Sequence, residues 1–318
     1  MRLTWYVPHV SLAPTDQRAA PPAWLVWTAL IIVYVVWGST YLAIRHVVES
    51  MPPFLAAGVR FAVAGAIMAV VLVLRSGPSR MRVTWQQLRG AAVVGALLLF
   101  IGNGFVSMGE TTVPSGLAAL IVGIVPVIVL VLRRATGERI SAVGMGGVVL
   151  GFIGLGVLVV PRGLSGQTDL LGMLMILFAS TSWASGSFMS RRLHLPTDSL
   201  VSTAYQLLCG GGMLIAAGLI DGEWSQVQGA TFTDSSIISL LYLITFGSLL
   251  GYTAYTWLLQ NAPIARVATY AYVNPVVAVA LGFLIDKDAV DPLMLIGAAM
   301  IVASVAFIVA TESRGHAT

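Results

Sequence analysis

Residues 102–127 read GNGFVSMGETTVPSGLAALIVGIVPV, and residues 251–276 read GYTAYTWLLQNAPIARVATYAYVNPV. Laid over one another without a gap, Gly102, Pro114, Ala119, Pro126 and Val127 meet Gly251, Pro263, Ala268, Pro275 and Val276. A second, shorter match lies upstream of each. VVWGSTYLAIRH at 35–46 runs parallel to TSWASGSFMSRR at 181–192, so that Trp37, Ser39 and Arg45 fall on Trp183, Ser185 and Arg191. The chain is written twice, with halves at about 1–161 and 167–311.

What each half is made of follows from composition. The 318 residues are 58% hydrophobic and 9% charged, with a mean hydropathy of +0.91. A soluble domain carries roughly a quarter charged residues, so this is an integral membrane protein. A span needs about 20 apolar residues. Apolar runs separated by charges and turn residues place helices at 24–47, 53–75, 88–108, 113–133, 141–160, 169–191, 198–220, 235–260, 263–285 and 291–311. The fold class is therefore all-α and membrane-embedded: ten helices, five in 23–161 and five in 167–311, around a central cavity. Residues 1–22 read as a flexible tail and 312–318 as a second. The first tail lacks the apolar core and small-residue cleavage site of a signal peptide.

Ten spans put both termini on one side. If that side is cytoplasmic, Arg2, Arg18, Arg75, Arg80, Arg82, Arg89, Arg133, Arg134, Arg139, Arg191, Arg192, Arg266 and Arg314 lie inside, against Arg45, Arg162 and Lys287 outside. The positive-inside rule selects that orientation, in the plasma membrane. Five helices per half is an odd number, so the second half enters from the opposite face and the repeats are inverted. Inverted repeats are the architecture of secondary transporters, with a substrate site near the midplane.

Lipid offers no partner to a hydroxyl or amide. The polar and aromatic side chains within the spans therefore point to a cavity. Trp37, Ser39 and Tyr41 of the first helix, Asn103 of the third, Trp183 of the sixth, Gln206 of the seventh, Tyr252 and Tyr255 of the eighth, and Tyr270 and Asn274 of the ninth are the candidate substrate-binding residues, beside Thr40 and Ser180. Individual hydroxyls can instead bond a carbonyl of their own helix. Arg60 is the one charge well inside a predicted span. An arginine at the bilayer centre costs about 2.5–3.5 kcal/mol on insertion scales, so it faces the interior. It serves there as the fork for an anionic group, or else reaches outer headgroups or helix-end carbonyls. The repeat sets Gln206 opposite it.

Glu110, at the outer junction of the third and fourth helices, is a candidate coupling residue that could pair with Arg60 or titrate. Pro114, Pro126, Pro263 and Pro275 are expected to break backbone bonds in the fourth and ninth helices as hinges or static kinks. Gly144, Gly147, Gly151 and Gly154 form a stripe read as packing within the chain more than as a dimer contact, and the sequence leaves the oligomeric state open, a monomer being one reading. The sole cysteine, Cys209, sits in an apolar run and reads as a packing residue. His9, His46, His194 and His316 are scattered, so no metal site is expected, and no cofactor. The basic residues lack the clustering that nucleic acid requires. No catalytic pair falls at depth, which speaks against an enzyme. The partners expected are a small-molecule substrate and the bilayer.

The motifs WGSTYLAIR, PPFLAAGVRFAVAG, GNGFVSMGE, VPSGLAAL, SWASGSFMSRR and ATYAYVNPVVAV together resemble those of a drug/metabolite transporter of the EamA type, in its YedA/PecM-like subgroup. The resemblance runs from about Trp24 to Ala310. It implies a ten-helix inverted-repeat bundle that exports amino acids, drugs or related amphipathic solutes by alternating access. An uptake facilitator, or a membrane receptor or scaffold without transport, are the alternatives. In one place the chain departs from the family pattern. Gly137-Glu138 follows the fourth helix, but Asp286-Lys287-Asp288 follows the ninth where a second Gly-Glu is usual.

Overall fold

The computed structural model describes residues 21–113, 118, 121–138, 140–159, 169–281 and 292–314. Those residues are helical, with short turns and no strand. The main helices are α1 (Ala23–Val48), α2 (Pro53–Ser76), α3 (Trp85–Gly109), α4 (Val125–Ala135), α5 (Ala142–Val159), α6 (Leu170–Ser190), α7 (Ser199–Ile220), α8 (Asp234–Asn261), α9 (Tyr270–Leu281) and α10 (Pro292–Arg314). Six of them, α1, α2, α3, α6, α7 and α8, are each long and apolar enough to cross a membrane.

Helix starts are written locally. Thr84 accepts from Gln87 N while the Gln87 side chain accepts from Thr84 N, a capping box at α3. Asp169 and Asp198 accept the first amides of α6 and α7, where an acid also suits the positive end of the helix dipole. The start of α2 is different. Pro53 stands in the first turn, where a missing N–H costs nothing. The free amides of Phe54 and Leu55 are capped from far away in sequence by the Glu223 carboxylate, at 3.0 and 2.7 Å. Glu223 belongs to a short helix, Glu223–Val227, and is buried.

Packing pairs the two halves. α2 lies along α7 and α5 along α10. The first helix of each half crosses into the other: α1 packs on α8 and α9, and α6 packs on α3 and α4. At α5, Gly147, Gly151 and Gly154 meet Ile308, Ser304 and Met300 of α10, and Ser304 Oγ donates to Gly147 O at 2.7 Å. The glycine stripe is internal packing, as expected.

Both α3 and α8 change register midway. Ala96–Asn103 and Leu243–Tyr252 are π-helical, and they hold Gly102 and Gly251, the first matched pair of the repeat. A π turn widens the helix and re-aims its side chains, and such turns gather at functional sites.

The prolines divide. Pro126 stands in the first turn of α4, after a break at Gly123–Ile124. Pro275 is inside α9. Pro263 is not a kink: it precedes the short helix Ile264–Ala268 as its N-cap, where its ring blocks no helical bond. Pro114 lies outside the described residues.

Candidate functional site

The π segments of α3 and α8 face one another across α1 and α6, and a cavity of about 80 Å³ lies between them. One buried water needs roughly 10–15 Å³ on such a measure. The space therefore suits several waters or one small solute. Of the residues expected there, Trp37, Tyr41, Arg60, Asn103, Trp183, Tyr252, Tyr270 and Asn274 line it.

Aromatic rings close one end. Trp37 and Trp183 meet edge to face, centroids 5.4 Å apart at 81°. Tyr255 and Tyr270 stand 4.8 and 5.2 Å from Trp37. Both indole N–H groups are held: Trp37 Nε1 donates to Gly247 O at 3.2 Å, and Trp183 Nε1 to Tyr255 Oη at 2.9 Å. Tyr255 also shares a 2.6 Å hydrogen bond with Ser187. Aromatic walls with satisfied polar edges give a rigid apolar surface.

Arg60 supplies the cavity's charge. It is 5% exposed. Its Nε donates to Ser248 Oγ at 2.9 Å and its guanidinium carbon lies 4.6 Å over the Phe61 ring. Among the described residues it has no acidic partner within ion-pair distance. Gly247 makes room for it, since a β-carbon there would sit 2.8 Å from Arg60 Nη2. The expected pairing of Glu110 with Arg60 is not present. Glu110 is 3% exposed and neither carboxylate oxygen has a hydrogen-bond partner. Across the cavity, the Asn103 Oδ1 acceptor is likewise buried and unbonded.

Three expected residues stand behind the lining. Ser39 donates to Val36 O and shares a 2.6 Å bond with Tyr242. Gln206, buried, accepts from Tyr252 Oη at 2.7 Å and donates to Ser202 at 3.0 Å. It thus fixes Tyr252 and does not face the cavity. Tyr255 braces the two tryptophans from beneath. Thr40 and Ser180 do line the space, while Thr181 faces outward and bonds Leu177 O. The Asn274 amide, oriented as its surroundings demand, donates to Tyr270 O and Tyr34 O at 3.0 and 3.2 Å. Sequence reasoning passed over Phe61, Gly247 and Ser248. Only the small-residue pair Gly247-Ser248 within an apolar run hinted at them. No group of residues fit to hold a metal is found among the described residues.

The sequence pattern of the EamA-like transporter family is found twice, at residues 24–160 and 170–310. The chain is 38% identical over 258 residues to the uncharacterized inner membrane transporter YedA of Escherichia coli strain K12, covering 80% of each protein. It is 27% identical over 279 residues to a probable amino-acid metabolite efflux pump of the same strain, covering 85% of this chain and 90% of that one. A solved crystal structure matches with a TM-score of 0.73 at 20% identity, over 91% of this chain and 98% of that one, and so shares its fold.

Proposed function

This chain belongs to the EamA-like transporter family, and on that premise we propose that it is a secondary exporter of small amphipathic solutes that carry an anionic group. Ten helices in two inverted five-helix halves would move by alternating access, with both termini cytoplasmic and the membrane that of the cell surface. The observation that carries the substrate reading is Arg60. A buried guanidinium with no carboxylate partner among the described residues borders a cavity whose other walls are largely aromatic and aliphatic. Burying an unpaired charge is costly. A bound anion offsets that cost, and the fork geometry of arginine fits a carboxylate. The aromatic end takes the apolar part of the solute. The naming of one relative as a probable amino-acid metabolite efflux pump agrees with the outward direction and with a metabolite as the solute.

The test compares the growth medium of cells expressing the wild type or Arg60→Ala at matched membrane levels. Wild-type cells enrich particular carboxylate-bearing solutes outside, and the variant does not. Equal enrichment by both would keep export and remove Arg60 from the binding site. No enrichment by either, with solute uptake into purified vesicles, would reverse the direction.

A further inference from the structure

We infer that Glu110 is a proton-binding site whose occupancy is tied to whether its end of the cavity is closed or open to water. The inference rests on the transporter reading for its use, but not for its test.

Glu110 follows directly on the span Trp85–Gly109 as its C-cap. It is on the same face of α3 as Asn103 and Ser107, at helical spacings of three and four. Asn103 borders the central cavity and Ser107 borders a smaller hollow that also reaches Arg60. A line of polar side chains thus runs from the solute cavity toward the outer end of α3. At the end of that line both Glu110 oxygens are buried and unbonded. A carboxylate so placed has exchanged its hydration for nothing, the costliest arrangement a charge can take. A neutral carboxyl removes most of that cost, so the closed arrangement selects the protonated acid.

The surroundings do not reverse this. On α1, Arg45 favours the ionised form, but it is half exposed and 4.0 Å from Glu49. Tyr41 on α1 lies within electrostatic range. α2 carries Arg60, engaged with Ser248, and Arg75 in its last turn at the far end of the helix. From α6 comes Asp169, whose oxygens accept from Leu171 and Gly172 and which adds no positive charge. The π segment of α3 carries no charged residue. Burial pushes the Glu110 carboxyl up to about 8, with Arg45 opposing.

In the proposed cycle, opening of the outer end hydrates Glu110. The O–H bond breaks, the proton passes to water, and the carboxylate stays beside Arg45. Closure reverses the step. Each closure at that end therefore takes up one proton from that side and each opening returns it, so the proton concentration on that side biases which of the two arrangements is favoured.

Infrared difference spectroscopy on the purified full-length protein tests the binding half. The expected result is a protonated-carboxyl band present at about pH 6 and lost by about pH 9, absent from Glu110→Gln. In Arg45→Gln the midpoint moves upward, because the charge favouring ionisation is gone. A wild-type spectrum unchanged by Glu110→Gln overturns the inference. Tryptophan fluorescence tests the linkage, since Trp37 and Trp183 border the cavity. A pH-dependent emission shift with the same midpoint is expected in wild type and is absent in Glu110→Gln. A band without that fluorescence change would leave Glu110 as a proton site unlinked to the cavity and overturn the coupling. Glu110→Asp, which keeps the carboxyl, serves should the glutamine variant misfold: it retains a titrating band. Solute flux is read separately, so the transporter reading and this one can fail independently.

Discussion

Gly251 of α8 lies so close to Trp37 of α1 that a β-carbon on it would sit 2.7 Å from the indole Nε1. Gly102 of α3 stands in the same relation to Trp183 of α6, at 2.9 Å from Cε3. The two glycines are partners in the repeat, and so are the two tryptophans. Each contact joins one half of the chain to the other. Alanine at either position forces the indole out of its place, and overpacking of this kind costs about 1–3 kcal/mol. The indole of Trp37 also donates to Gly247 O, so moving it disturbs the Arg60 side of the cavity. Gly251→Ala and Gly102→Ala are expected to lower export at least severalfold and to shift tryptophan emission. Gly212→Ala, where nothing lies within 4 Å, is the neutral control.

Ser248 decides how Arg60 is presented. Its hydroxyl takes the Nε hydrogen bond at 2.9 Å and leaves the terminal nitrogens toward the cavity. A hydrogen bond to a charged group is worth about 1.5–3 kcal/mol. Ser248→Ala is expected to weaken solute binding by about tenfold while leaving maximal export close to normal. Arg60→Lys keeps the charge and loses the fork, and is expected to restore less than half of the activity. Initial export rates against internal solute concentration separate these cases. An unchanged half-saturation in Ser248→Ala would show that Arg60 needs no holder.

The repeat, six of the expected spans and eight cavity residues are legible in the sequence because lipid enforces them. A tryptophan, asparagine or arginine inside a span has few places to go. What hid from the sequence was relational. Whether Ser39 or Gln206 faces a cavity or a neighbour depends on which side chain stands opposite, and here Tyr242 and Tyr252 do. The π segments rotate α3 and α8 away from ideal periodicity, so a helical wheel misplaces residues such as Gly247 and Ser248. Pro263 read as a kink because its repeat partner falls within an apolar stretch, yet the turn after α8 needed a helix start there. The Asp286-Lys287-Asp288 departure falls outside the described residues.

Glu223 shows the same limit from the side of stability. Nothing local marks it as a cap, since its partners, Phe54 N and Leu55 N, are in the other half. Glu223→Ala strands two amides at a buried helix end, and each unsatisfied group costs about 1–3 kcal/mol. Glu223→Gln keeps one acceptor oxygen and turns a donor toward the other amide, so its loss is smaller. Thermal unfolding of the detergent-solubilised protein is expected to rank wild type above the glutamine variant and that above the alanine variant. Equal midpoints for all three would show that water takes over the cap.

The Arg80–Asp198 pair gives a pH signature at the opposite face. Burial alone would raise the Asp198 carboxyl. The Arg80 hydrogen bond at 2.9 Å and the amides of Leu200 and Val201 outweigh it and hold the group below its ordinary value. A depressed folded-state value means a stability contribution that is full above the unfolded value, about 3.9. It is lost as pH falls through the lower, folded one. Both side chains are about one-third exposed, so solvent screens the pair and the effect is modest. Asp198→Asn is expected to be slightly less stable than wild type at neutral pH, with the difference shrinking below about pH 4. A constant difference down to acid would assign it to the lost α7 cap alone.

Glu138 ties the end of α4 to the end of α6. Its carboxylate accepts from Arg133 Nε at 2.7 Å and lies 3.8 Å from Arg192 Nη2, whose guanidinium carbon rests 3.8 Å over the Phe188 ring. Arg191 borders the same hollow and donates to Ala262 O. With Glu138 exchanged for glutamine, the hollow loses the negative charge that lies beside Arg133 and Arg192 and near Arg191. The pair is partly exposed, so the loss of overall stability is expected to stay under about 1 kcal/mol. The balance between conformers is the sensitive quantity, because like charges at a seam between two halves favour parting it. In a Cys209→Ser background, a cysteine at Ala262, now 2% exposed, reports on that parting. Glu138→Gln is expected to raise its labelling rate by a polar maleimide severalfold in low salt. High salt, which screens the arginines, should narrow the difference. Equal labelling in both proteins at low salt would mean that the aromatic packing of Trp37, Trp183 and Tyr255 closes this side unaided.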